Sequence, residues 1–122
     1  MLQNILLVGV GGFFGSISRY GVGQLFSKFV NSGFPAGTFA VNIIGSFIIG
    51  IVLGAFEQNN ISDSWKLLIA VGFCGGFTTF SSFAYENFSL LDTKQFLVST
   101  LYISLSIVVG LFAVFLGFKI VN

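Results

Sequence analysis

The chain has 122 residues, 55% of them hydrophobic and 7% charged, with a net charge of +1. A mean hydropathy of +0.99 excludes a soluble domain and predicts a membrane protein. The small net charge argues against nucleic acid as a partner. The lack of histidine removes imidazole catalysis and ligation, and a lone Cys74 removes an intrachain disulfide and any cysteine-cluster metal site.

Four charge-free windows, Met1–Ser18, Phe29–Phe56, Leu67–Tyr85 and Gln95–Phe118, each reach the roughly 18–20 residues needed to cross about 30 Å of hydrocarbon. They predict an all-α membrane protein of a single domain, with four transmembrane helices near 4–29, 38–56, 65–85 and 96–118. The strict alternation of a β-barrel is absent. No positively charged region precedes the first helix, which is therefore expected to be retained rather than cleaved.

Helix 1 carries Gly11, Gly15, Arg19 and Gly23 along one face, a spacing suited to close helix packing in lipid. An arginine inside an apolar span costs about +2.5–3.5 kcal/mol on insertion scales, so Arg19 should find a partner. Glu86 is the expected one, in a pair that anchors structure. The turn Asn31-Ser32-Gly33-Phe34-Pro35 leads into helix 2, where Thr38, Asn42, Ser46, Gly50 and Gly54 share a face. Asn42 reads either as interhelical glue or as a donor to a passing anion; the glue reading is modestly favoured.

A polar loop, 57–64, offers Ser62, Asp63 or Ser64 as a cap for helix 3. That helix contains Cys74-Gly75-Gly76-Phe77-Thr78-Thr79-Phe80-Ser81-Ser82-Phe83. Adjacent glycines followed by four hydroxyls predict a break at Gly75–Gly76. Backbone can leave helical form at membrane depth only where protein or a water-filled site satisfies it. A Gly-interrupted apolar segment is thus a pointer to an ion or solute site. Unwound carbonyls from Gly75 to Thr79 suit a cation, whereas the neutral donors Asn42, Thr79, Ser81, Ser82, Tyr102 and Ser106 suit a small anion. The edges of Phe80 and Phe83, two of 17 phenylalanines, would help to stabilise that anion. Cys74 reads as a small buried hydrophobe. In helix 4, Ser99, Tyr102, Ser106 and Gly110 lie along one side.

Lysines divide evenly between the two membrane faces, Lys66 and Lys119 against Lys28 and Lys94. The positive-inside rule finds almost no imbalance to act on. Insertion both ways up, with assembly as an antiparallel dimer, and a single orientation imposed by Arg19 or by lipid both remain open on charge alone.

Three runs resemble the Fluc (CrcB) family of fluoride channels, small dual-topology membrane proteins of microbes. They are Gly11 to Tyr20, Gly37 to Phe47 and Gly72 to Phe83, the last being highly specific. The resemblance implies an antiparallel homodimer in the cell membrane with two pathways that passively export fluoride and relieve its toxicity. It also implies a structural sodium ion held by the carbonyls of Gly75 and Thr78 from both subunits. Phe80 and Phe83 would be ring-edge ligands and Asn42 a donor, with Ser81, Tyr102 and Ser106 continuing a polar lane. Gly110 departs from the family by lacking a hydroxyl. The competing readings are a proton-coupled multidrug-type exporter, which needs an embedded carboxylate, and a non-transporting assembly subunit, which leaves the broken third helix unexplained. An enzyme is not expected, because no nucleophile has a base beside it.

Overall fold

The computed structural model describes all residues, Met1–Asn122, and is entirely helical. Helix α1 spans Leu2–Phe29 and α2 spans Ala36–Glu57. The third span is two helices: α3, residues 63–77, and α4, Phe80–Asp92. Helix α5 covers Phe96–Val121. Four segments are therefore long and apolar enough to cross a membrane, with the third running Asp63–Asp92. This reaches well beyond the expected end at 85 and places Glu86 inside a helix rather than past its end.

The helix boundaries follow local chemistry. Pro35 (φ −77°, ψ 73°) forms an inverse γ-turn, closed by the Ala36 N–H donating to the Phe34 carbonyl at 2.8 Å. Ser62 caps α3, its hydroxyl accepting from the Trp65 N–H. Helices α2 and α4 both end with a residue in the left-handed region, Asn59 (φ 60°) and Lys94 (φ 61°). The next N–H then bonds back five residues, Asn60 to Ala55 and Gln95 to Leu90.

Within α3, Leu67–Cys74 winds as a π-helix before Gly75–Phe77 returns to α geometry. The break expected at Gly75–Gly76 falls instead at Thr78–Thr79, both extended (ψ 159° and 121°). The glycines stay helical because their smallness serves packing. A side-chain carbon on Gly76 would sit 2.7 Å from the Gly12 carbonyl oxygen, and one on Gly11 would run into the carbonyl of Leu68. Helices α1 and α3 thus touch backbone to backbone.

The same device joins α2 to α5, a pair as extensive as α1 with α3. Gly50 abuts the Val114 carbonyl and Gly117 abuts that of Phe47. Only 17 of 122 residues are buried, so most large apolar side chains point outward, as a chain solvated by lipid allows. Gly50→Ala should destabilise the fold by about 1–3 kcal/mol through overpacking. Gly9→Ala, where a new carbon meets nothing within 4 Å, should not. Melting temperatures in detergent will show whether the two differ.

Candidate functional site: the broken third span

The break creates a backbone problem that one side chain solves. Asn42 on α2 accepts from the Thr79 N–H through Oδ1 at 2.8 Å and donates to the Thr79 carbonyl through Nδ2 at 3.1 Å. Opposite demands from one residue leave no freedom for an amide flip. The second Nδ2 hydrogen remains available. Asn42 is thus glue, as favoured from sequence, although it binds to the break and not merely to a neighbouring helix. Its own carbonyl accepts from Ser46 Oγ at 2.7 Å.

This clamp redirects neighbouring bonds. Continuing α3 would require the Thr79 N–H to donate to the Gly75 carbonyl, but that N–H is committed to Asn42. The Ser82 N–H, the i+4 donor for Thr78, goes instead to Thr79 Oγ1 at 3.1 Å, capping α4. The carbonyls of Gly75 and Thr78 therefore both lose their regular helical donors. The Thr78 hydroxyl turns inward and donates to the Cys74 carbonyl at 2.7 Å.

A cleft of about 440 Å³ opens beside the break between α2, α3, α4 and α5. It brings together Asn42, Ser46, Gly75, Thr78, Phe80, Phe83 and Ser106, and contains no ionisable side chain other than the Cys74 thiol. The Ser106 hydroxyl is buried and has no hydrogen-bond partner. Such an orphan is costly in an apolar setting and stands ready for a polar guest. Phe80 is 78% exposed and forms an open edge of the cleft.

Three of the donors named from sequence, Ser81, Ser82 and Tyr102, lie outside this lining. Ser81 is exposed, its hydroxyl 3.3 Å from that of Thr79. Tyr102 is fully buried behind Phe83, ring centroids 5.0 Å apart, and its hydroxyl donates to Glu86 Oε1 at 2.8 Å.

The expected Arg19–Glu86 pair does not form. Arg19 Nε donates to the Gly76 carbonyl at 2.9 Å, where the negative end of α3 favours a cation. Glu86 takes two hydroxyls instead, from Thr38 at 2.7 Å and from Tyr102. Hydroxyl donors satisfy a carboxylate without requiring a second ion to be stripped of water. Arg19 lines a separate polar cleft of about 340 Å³ with Ser16, Thr38 and Ser82, which meets the first at Thr79. Thr38 and Ser46 lie four residues either side of Asn42, and their hydroxyls on its face of α2 are the signal in the sequence that they serve the site.

The fold and site define a multi-pass membrane protein with a neutral, donor-lined cleft at a discontinuous helix. The family model for CrcB-like protein, Camphor Resistance (CrcB), matches residues 6–118, and the chain belongs to that family. It is 50% identical over 121 residues to the fluoride-specific ion channel FluC of Gloeothece citriformis, covering 99% of this chain and 98% of that one. A FluC of Azobacteroides pseudotrichonymphae is 44% identical over 119 residues, covering 97% of this chain and 95% of the relative. The Bacillus cereus protein named fluoride-specific ion channel FluC 2 is 38% identical, with 98% of both chains covered.

Asn42→Ala would leave the Thr79 N–H and C=O without partners. It should cost about 2–6 kcal/mol, from two unsatisfied part-buried groups at about 1–3 kcal/mol each. A melting temperature equal to wild type would show that Asn42 is not the clamp.

Proposed function

We propose that this chain forms a fluoride-selective channel, the activity carried in the names of its relatives, which lets fluoride leave the cytoplasm down its gradient and so lowers its toxicity. The observation that best supports this reading is the neutral cleft itself, whose lining combines an orphaned Ser106 hydroxyl with Phe80 and Phe83. Conduction requires compensation for lost hydration that is weak enough to release the ion. A spare Asn42 N–H, one hydroxyl and positive ring edges meet that requirement; an embedded lysine would hold a hard anion too firmly. The start of α4 adds the positive end of a helix beside the break. Ser81 and Tyr102 belong to the same polar lane in this reading, beyond the cleft lining.

The functional unit is an antiparallel dimer in the cell membrane with two fluoride pathways. Support comes from the balanced lysines and from a cleft whose rim is open: Phe80 is largely exposed, and a side-chain carbon on Gly75 would meet nothing within 4 Å. A second copy would close that side. Sodium fits the redirected carbonyls of Gly75 and Thr78, since hard cations take neutral oxygen ligands and two copies would offer four. Bound there, the ion would supply fixed positive charge at the subunit contact.

A proton-coupled exporter is less well supported. Glu86 does lie within the span, yet hydroxyls engage both its oxygens and it takes no part in the cleft.

Reconstituted vesicles should release fluoride far faster than chloride without a proton gradient. Phe80→Ile should cut fluoride release about tenfold or more, on the scale of one lost ion-stabilising contact at a narrow site, while the protein stays dimeric. Replacing sodium with N-methylglucamine on both sides should slow release. Equal fluoride and chloride rates in the wild type would refute selectivity.

A further inference from the structure

The connection between α1 and α2 carries an aromatic ring that neither the motifs nor the cleft accounts for. Phe34 is half-buried, although it sits in a five-residue polar turn. Its ring meets that of Tyr102 edge to face, centroids 5.2 Å apart at 73°. Tyr102 in turn meets Phe83 at 5.0 Å and 61°, and Phe83 meets Phe80 at 5.9 Å. Phe39 also meets Phe34, at 5.5 Å and 75°. A continuous row of rings thus runs from the membrane-face turn into the cleft.

We propose that Phe34 is a positioning residue for the ion cleft: the rigid turn at Pro35 presses its ring edge onto Tyr102, and Tyr102 holds Phe83 in place. The inference rests on the channel reading above. Three features make the row more than incidental packing. The backbone of Pro35 is fixed by its own ring and by the Ala36-to-Phe34 hydrogen bond, so Phe34 is delivered in one direction. Tyr102 has no exposed surface, and its hydroxyl is tied to Glu86, so a force on its ring has few ways to dissipate. Phe83 lines the cleft directly and has Tyr102 behind it. Edge-to-face pairs are orientation-dependent, so losing the first ring loosens the direction of the second and third rather than only their burial.

The test is a double-substitution cycle on the full-length protein in phosphatidylethanolamine–phosphatidylglycerol vesicles loaded with sodium fluoride, read as fluoride release. Phe34→Leu keeps apolar bulk but loses the ring, and should slow release about fivefold, a change of the size one edge-to-face contact allows. Its dimer content and melting temperature should stay near wild type. Phe34→Tyr, which keeps the ring, should restore release. In a Tyr102→Leu background, where the relay is already cut, Phe34→Leu should have no further effect. Release at the wild-type rate in Phe34→Leu, independent and multiplying effects in the cycle, or equal loss in Phe34→Leu and Phe34→Tyr would each overturn the proposal. Wild-type vesicles that retain their fluoride would sink the channel reading along with it, whereas the other outcomes sink this inference alone.

Discussion

Two hydrogen bonds from one amide to one residue organise the middle of this molecule. In hydrocarbon, an unpaired peptide group costs several kcal/mol, so a helix cannot simply stop at membrane depth. By taking both the N–H and the C=O of Thr79, Asn42 makes the stop affordable at one position. The consequences spread in both directions. Upstream, Gly75 loses its regular donor; downstream, Thr79 is free to cap Ser82 and α4 begins at Phe80. That starting point sets the phase that brings Phe80 and Phe83 to the cleft.

The clamp needs a rigid frame, because an error of one ångström would break it. Two glycine-mediated contacts supply the frame, α1 against α3 and α2 against α5. In lipid there is little hydrophobic gain from bringing helices together, so close backbone approach and its dispersion contacts must provide the attraction. Arg19 reinforces the first contact by reaching from α1 to the last turn of α3. Ser99 and Asn87 join α4 to α5 with a buried 2.9 Å hydrogen bond.

The buried polar side chains follow one rule: each finds a partner nearby, and Ser106 is the exception. Pairing Arg19 with Glu86 would have required desolvating two ions in one place. Carbonyls and hydroxyls do the task separately and leave each group serving its own side of the break. The exception then carries meaning, since it lies in the cleft that the clamp opens.

Much of this was legible in the chain. Membrane spans can be read because about 20 apolar residues have no other inexpensive solvent, and the expected helix starts at 38, 65 and 96 lie within two residues of Ala36, Asp63 and Phe96. The composition of 72–83 marked the third span as discontinuous, and the stripe on α2 put Asn42 on an inward face. The point of breakage was not legible. Gly75 and Gly76 have the right chemistry for a break, but a glycine's role depends on what lies opposite, and here α1 uses that smallness for packing. The partners of Arg19 and Glu86 were equally hidden, because opposite charges at matching depth say nothing about which faces meet. Periodicity along a helix is a local property that residue order encodes; the pairing of one helix face with another arises from how all of them pack together.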